Sequence, residues 1–188
     1  MLIKIPMLSE PHLFLRVWRL NIQLVMWLIN CSTFALELHD VDGPNQKPYW
    51  ILSHTWGLEE VTYPEMRAKD LLDLTKKGFE KIRSICPLAL EAGCQYAWVD
   101  TCCIDKSCSA ELSESMNSMF YWYQRAKVCF AYLEDIEPRE GLPSLVQLRR
   151  CRWFTHGWTL QELIVPKEVW FFDGKWNFRG TKKLWQKH

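Results

Sequence analysis

The feature that most constrains the fold of this chain is an alternation between short apolar runs and longer segments with helical periodicity. The apolar runs lie at residues 49–53, 96–100, 128–133 and 168–172. Short runs that are apolar almost throughout are typical of strands buried on both faces of a sheet. The sequence therefore predicts four buried strands, and such a sheet needs helices to cover its two faces.

Two of the intervening segments have helical periodicity. In segment 78–92, apolar residues recur every three or four positions, Gly93 follows as a C-terminal cap, and Pro87 is expected to kink or split the helix. Ser109 is suited to the N-cap of a second helix at 110–126. Strand–helix–strand units with short joints predict parallel pairing and right-handed crossovers. The expected fold is an α/β, flavodoxin-like layered domain with a mainly parallel sheet flanked by helices.

The distribution of charge and hydropathy argues against two classes of partner. The 23 basic and 22 acidic residues are interspersed and give a net charge of +1, so no basic patch for nucleic acid or anionic lipid is evident. Arg16 and Arg19 interrupt the apolar-rich segment 13–29, and its longest clean run, Leu24 to Ile29, is far shorter than the roughly 20 residues of a membrane span. We expect this segment to be an added helix or an upstream extension, with neither nucleic acid nor membrane as a partner.

The eight cysteines lie mostly within apolar, element-like stretches rather than in loops. The chain has no CxxC motif and no histidine at the spacing of a zinc site, so no metal is expected. Buried, reduced thiols are typical of cytoplasmic proteins. We therefore predict a cytoplasmic chain without disulfide bonds.

Tryptophan is unusually frequent, with 11 residues in 188. Such an excess indicates either a thick aromatic core or a face that docks a partner or a flat ligand. The sequence leaves both interpretations open.

Three long motifs resemble the motif blocks of the fungal heterokaryon incompatibility (HET) domain, in the same order and at similar spacing. They read YWILSHTWG, AWVDTCCIDKSCSAELSESMNSMFYWYQRAKVCFAYL and CRWFTHGWTLQELIVP. The resemblance places a HET domain at residues 27–188, shortened at its C-terminal end relative to the family, and an N-terminal extension at residues 1–26.

The resemblance implies an effector of fungal non-self recognition that triggers programmed cell death, with protein partners or self-association. HET domains also resemble TIR domains in their proposed fold. Some TIR domains cleave NAD with one glutamate at the start of the helix after the third strand, a position that falls here on Glu162. The resemblance thus implies NAD as a substrate and no firmly bound cofactor. The alternative is a non-catalytic interaction or oligomerisation module in the same signalling.

Glu162 is accordingly the candidate catalytic residue, because a carboxylate near the ribose stabilises an oxocarbenium-like transition state. Trp158, one helical turn earlier, is a candidate for stacking on a flat ring. Thr159 and Glu162 also have the spacing of a capping box, in which the glutamate merely closes the start of a helix. Both interpretations of Glu162 stand at this point.

Candidate ligand-binding residues follow two of the predicted strands: Ser53, His54, Thr55, Trp56, Gly57 and Asp100. Open parallel sheets bind ligands at the C-terminal ends of their strands. The alternative for these residues is a polar turn that satisfies its own backbone. If the site is real, the Glu162 carboxylate should lie within about 10 Å of the Ser53–Gly57 loop, a span that a small nucleotide bridges.

Overall fold

The structure is a computed structural model and describes residues 25–41, 43, 46–68, 75–138, 141–157 and 159–186. At its centre is a seven-stranded sheet with the spatial order β2-β1-β4-β3-β5-β6-β7. The strands are β1 (Val25–Asn30), β2 (Leu36–Asp40), β3 (Tyr49–His54), β4 (Tyr96–Val99), β5 (Val128–Leu133), β6 (Val169–Asp173) and β7 (Phe178–Thr181).

The four predicted strands form the parallel centre of this sheet. β4, β3, β5 and β6 lie side by side and pair in parallel, each within one residue of its predicted bounds. Every residue of β3 and β5 is buried, which explains why these two segments are apolar almost without interruption. The predicted flavodoxin-like α/β fold is confirmed.

Three further strands, which the sequence did not reveal, extend the sheet in antiparallel fashion. β1 pairs with β2 and with β4 on one side, and β7 pairs with β6 on the other. The added helix considered for segment 13–29 is therefore wrong for its last residues, since Val25 to Ile29 belong to β1; residues 13–24 lie outside the described part. β2 and β7 are short edge strands, and β2 is only half-buried, so their hydrophobic pattern is weak. β1 has six mostly buried residues and was interpreted as the end of the longer apolar segment 13–29.

Helices connect the central strands and cover the sheet. Those of the described residues are α1 (Tyr63–Arg67), α2 (Lys77–Glu91), α3 (Ser109–Arg125), α4 (Leu145–Arg150), α5 (Arg152–Thr155), α6 (Thr159–Ile164) and α7 (Lys182–Trp185).

The two predicted helices are present, with two local differences. α2 runs through Pro87 as one helix, although the proline has no N–H and so removes one backbone hydrogen bond. Gly93 takes the expected left-handed conformation after it (φ 73°). The N-cap of α3 is Cys108 rather than Ser109, so that prediction was wrong by one residue.

The helices lie on opposite faces of the sheet. Tyr49 of β3 donates a hydrogen bond to the carbonyl of Trp122 in α3 (2.6 Å), so alternate residues of β3, including Ser53, face α3. His54 points to the other face, where Lys81 of α2 contacts the same loop. The two faces of β3 therefore supply side chains to two different environments.

Most of the described tryptophans lie in the core or pack against it. Trp50, Trp98, Trp122 and Trp153 are buried, whereas the Trp56 side chain is 54% exposed. The core interpretation of the tryptophan excess is confirmed for the buried residues, and docking of a partner or ligand at Trp56 stays a prediction.

All eight cysteines are free thiols, and Cys108 is the exposed one. Within the described ranges no group of histidine, cysteine and carboxylate side chains has metal-binding geometry. No helix found in those ranges has the length and apolar character needed to cross a bilayer.

Replacing Gly78 with alanine is expected to lower the free energy of unfolding by about 2 kcal/mol, as overpacking of a tight contact does. A Cβ atom at Gly78 would lie 2.7 Å from backbone atoms of Glu59, Glu60 and Val61. Backbone cannot yield as a flexible side chain does, so α2 must shift away from that segment. Urea unfolding measures the effect.

Gly157→Ala is the matched control, because a Cβ there meets nothing within 4 Å. We expect the control to unfold like the wild-type chain. Equal stabilities of the two variants would contradict the close approach of α2 to residues 59–61.

Candidate functional site

The side chains of Ser53 and Glu162 meet at the C-terminal end of β3. The Ser53 hydroxyl donates a short hydrogen bond to the Glu162 carboxylate, and the indole N–H of Trp153 donates to Ser53 Oγ (2.7 Å). Because the Trp153 N–H occupies an acceptor position on the Ser53 oxygen, the serine proton is directed towards Glu162. The predicted proximity of Glu162 to the Ser53–Gly57 loop is therefore confirmed.

The contact is closer than expected, however. A direct hydrogen bond leaves no room for a nucleotide between the two side chains. A ligand of this site must approach the Ser53–Glu162 pair from outside.

The capping-box interpretation of Glu162 is wrong. The hydroxyl and the backbone N–H of Thr159 both donate to the carbonyl of His156 (2.5 Å and 3.3 Å). The N–H that a capping glutamate would accept is thus already bonded, and the Glu162 carboxylate reaches across to the sheet instead. A residue that merely closed its own helix would not make this tertiary contact.

The environment of Glu162 disfavours its charge. Burial raises the pKa of this carboxyl group, and the nearby charge of Asp100 raises it further. The hydrogen bonds from Ser53 and Tyr123 and the charge of His54 lower the pKa but do not compensate. A carboxyl group with a raised pKa exchanges protons closer to neutral pH, as general acids and bases do.

His54 lies behind this pair, on the opposite face of the strand, between two carboxylates. Its side chain is fully buried, with Nε2 3.5 Å from Glu60 and Nδ1 3.9 Å from Asp100. Burial tends to raise the pKa of Glu60, but contact with His54 and the ion pair with Lys81 outweigh it and lower the pKa to about 2. Glu60 is therefore a fixed negative charge beside His54.

Sequence reasoning missed Glu60 and Lys81. Lys81 Nζ bonds to Glu60 and to the carbonyl of Thr55 (3.2 Å), so the ion pair holds the loop after β3. One signal was available: Lys81 lies on the apolar side of α2 near Phe79 and Ile82, where an unpaired lysine would be costly.

A pocket of about 440 Å³ opens beside this polar cluster. Trp56 and Gly57 line it, together with Thr101 and Lys106. Trp56 donates its indole N–H to Asp100 (2.8 Å), and Lys106 Nζ lies 3.6 Å from the centre of the same ring. An exposed indole is a suitable surface for a flat ligand, and Lys106 is the cation of a lining that also contains the acids Glu60 and Asp105.

The predicted site residues thus divide into two groups. Trp56 and Gly57 line the open pocket, whereas the buried Ser53 and His54 and the half-buried Asp100 and Glu162 do not. Thr55 is buried and contributes its carbonyl to Lys81. Trp158 lies outside the described residues. The Trp56–Asp100 hydrogen bond joins the two groups.

The opposite pKa shifts of Glu162 and Glu60 predict opposite effects of pH on stability. Because the pKa of Glu162 is raised above 4.5 in the folded chain, its stabilising contribution is complete below that pH and is lost as pH rises through the folded-state pKa. Glu162→Gln should therefore gain thermal stability relative to the wild-type chain as pH rises above about 4.5.

Glu60→Gln is the matched comparison. Its wild-type carboxylate stabilises the fold above the unfolded pKa of 4.5, and this stabilisation disappears as pH falls towards about 2. Melting temperatures measured between about pH 3 and about pH 8 test both signs. If the melting temperatures of the wild-type chain and of Glu162→Gln change with pH in parallel, the Glu162 carboxyl group is solvated and its pKa is not raised.

The position of the cluster matches the strand topology. β3 precedes both of its neighbours in the chain, and β4 and β5 lie on either side of it. The chain reverses its direction of winding at this point, and open α/β sheets bind their ligands there, at the C-terminal ends of the strands. Fold and site together define a flavodoxin-like α/β domain with a carboxylate-centred polar site.

Comparisons with known proteins agree with this class and narrow it. Residues 49–152 match the family described as heterokaryon incompatibility protein (HET). The chain is 50% identical over 141 residues, 70% of its length, to the vegetative incompatibility protein HET-E-1 of Podospora anserina. It spans 10% of that protein's length. No solved structure matches it significantly.

The chain therefore belongs to the heterokaryon incompatibility (HET) family. The matched residues include Ser53, His54 and Asp100 and end before Glu162.

Proposed function

We propose that this chain is a cytoplasmic effector module of heterokaryon incompatibility whose activity leads to cell death, and that its Glu162 site cleaves NAD. The observation that carries the proposal is the half-buried Glu162 carboxyl group, hydrogen-bonded to Ser53 at the point where the winding of the sheet reverses, in a domain with a nucleotide-sized pocket lined by Trp56. The similarity to a vegetative incompatibility protein supports the biological role.

The chemistry that suits this site is hydrolysis of the nicotinamide–ribose bond. As the bond breaks, its electron pair leaves with the nicotinamide nitrogen and positive charge develops on the ribose. The ionised Glu162 carboxylate stabilises that charge. Water then adds to the ribose carbon and releases a proton, so the products are nicotinamide and ADP-ribose.

The adjacent pocket is suited to the rest of the substrate. Its volume of about 440 Å³ lies within the range of roughly 300–1,000 Å³ that is typical of small-molecule sites. The Trp56 ring offers a stacking surface, and Lys106 provides positive charge for phosphate. Glu162 does not line this pocket, so the proposal requires the ribose end of the substrate to extend from the pocket to Glu162.

A second candidate function is a non-catalytic module that self-associates or binds protein partners in the same signalling. Two observations favour it. Ser53 and Glu162 already satisfy each other, and Met116 and Phe120, one turn apart on α3, are 47% and 45% exposed. Exposed apolar side chains at this spacing form a surface suited to helix packing.

Expression in fungal cells separates the two functions. The proposal predicts that the wild-type chain kills cells and depletes NAD, and that Glu162→Gln does neither at equal protein level. Glu114→Gln, the same change at an exposed position of α3, is the matched control and should retain killing. If Glu162→Gln still kills, and the double variant Met116→Ser, Phe120→Ser does not, the interaction module is the correct function.

A further inference from the structure

A second pocket, of about 460 Å³, lies at the C-terminal ends of β5 and β6. It is formed by the first turns of α2, the end of β5 and the turn after β6. Tyr132 in its wall is paired in register with His54, so this pocket lies on the opposite face of the sheet from the Ser53–Glu162 pair. It is therefore a separate site, and the proposed NAD chemistry does not use it.

The charge of this pocket is predominantly positive. Lys77, Arg83 and Lys175 line it, and none of them takes part in the ion pairs found within the described ranges. The acids in the wall are Glu80 and Glu134, and Glu134 lies 3.9 Å from Arg152. The groups of the wall outside these ion pairs are thus three cations (Lys77, Arg83 and Lys175) and one acid (Glu80). This excess of positive charge favours an anionic ligand.

The remaining basic group of the wall is already engaged. Lys81 bonds to Glu60, which lines the other pocket. The Lys81–Glu60 ion pair therefore separates the two pockets. The start of α2 adds little positive charge, because the N–H groups of Gly78 and Phe79 donate to the carbonyls of Glu59 and Lys76.

An aromatic surface completes the pocket. The Trp176 ring stacks on Tyr132 with ring centroids 4.5 Å apart and an interplanar angle of 14°. Trp176 is half-buried, and its backbone has φ 61°, a left-handed conformation that is unfavourable for a bulky residue. The chain keeps an indole at a position where its backbone would favour glycine or asparagine.

The surrounding turn holds this conformation in place. The buried Asp173 carboxylate accepts hydrogen bonds from the backbone N–H groups of Lys175 (2.9 Å) and Asn177 (3.0 Å). Gly174 lies against the end of β5, where an added Cβ atom would be 2.3 Å from the carbonyl oxygen of Glu134. The indole is therefore presented to the pocket by a rigid turn.

We propose that this pocket binds a phosphorylated ligand with a planar ring, of the nucleotide class. The ring stacks on Trp176, and the phosphates interact with Arg83, Lys175 and Lys77. The cavity volume suits a ligand of that size. Stacking on an indole and neutralisation by arginine and lysine are two interactions by which proteins hold nucleotides.

Isothermal titration of the purified chain with ADP, adenosine and pyrophosphate tests each half of the site. Trp176→Asn removes the ring and introduces a residue that accepts a left-handed backbone conformation. It should weaken the binding of ADP and of adenosine by about tenfold or more and leave the binding of pyrophosphate unchanged. The double variant Arg83→Glu, Lys175→Glu should weaken the binding of ADP and of pyrophosphate by about tenfold or more and leave the binding of adenosine unchanged.

The controls exclude general effects and the other pocket. Lys47→Glu with Arg149→Glu reverses two exposed charges elsewhere and should leave ADP binding intact. ADP binding that Trp56→Ala abolishes and Trp176→Asn leaves unchanged would belong to the other pocket and would overturn the proposal. Arg83 and Lys175 are exposed, so the double charge variant is expected to fold. It tests the proposal even if Trp176→Asn does not fold. No ADP binding by the wild-type chain, or unchanged binding in the charge variant, overturns the proposal.

Discussion

The purified Glu162→Gln variant is expected to hydrolyse NAD on the order of 10²–10³-fold more slowly than the wild-type chain, the effect of removing one electrostatic stabiliser of a transition state. Glutamine has the same shape, and its carbonyl oxygen still accepts the hydrogen bond of Ser53. Glutamine lacks the negative charge that stabilises the developing positive charge of the ribose. The rate of NAD loss measures the effect directly.

The same variant should remain folded. Burial of the Glu162 carboxyl group raises its pKa, so its ionisation at neutral pH costs stability, and the neutral amide avoids that cost. A melting temperature at or above that of the wild-type chain is expected. Glu114→Gln is the control for the substitution itself and should keep the full rate. Equal rates of NAD hydrolysis for the wild-type chain and Glu162→Gln would show that the Glu162 carboxylate takes no part in the reaction.

Asp173→Ala is expected to lower the free energy of unfolding by about 3 kcal/mol, in the range for breaking a buried charged network. The Asp173 carboxylate is fully buried and accepts two backbone N–H groups of the turn. It also accepts from the Asn177 amide and lies 3.9 Å from the buried Arg179 guanidinium. Alanine leaves all of these groups without that acceptor, although Arg179 keeps its bond to Gly141 (2.6 Å).

Asp105→Ala is the matched control for this prediction. Asp105 also accepts the backbone and side-chain hydrogens of a neighbouring residue, Ser107, but at the surface, where water replaces the lost bonds. Urea unfolding of both variants gives the comparison. If Asp173→Ala unfolds like Asp105→Ala, the turn after β6 is held by packing and not by its carboxylate.

The centre of the fold was predictable because burial on both faces leaves an uninterrupted apolar run. β3 and β5 show this signal in full. β2 and β7 do not show it, because a short edge strand with one solvated face differs little from a loop in composition. β1 is an interior strand of six residues, but its apolar run continues that of segment 13–29 and was interpreted as part of it. The mixed character of the sheet therefore appears only in three dimensions.

The candidate site was predictable to a similar degree. The position of Ser53 at the end of a buried strand and of Glu162 at the start of a later helix predicted their proximity, because parallel strands place these ends at one edge of the sheet. Their direct contact and the indole N–H of Trp153 that orients it depend on side-chain packing. Glu60 and Lys81 were missed because their roles arise from an ion pair between a loop and a helix.

Chromatographic analysis of NAD incubated with the purified, folded wild-type chain tests the proposed chemistry most directly. Cleavage at the Glu162 site predicts that nicotinamide and ADP-ribose appear in equal amounts as NAD disappears, and that both form on the order of 10²–10³-fold more slowly with Glu162→Gln. Intact NAD after prolonged incubation with a folded wild-type chain that kills fungal cells would contradict NAD cleavage and leave the interaction module as its function.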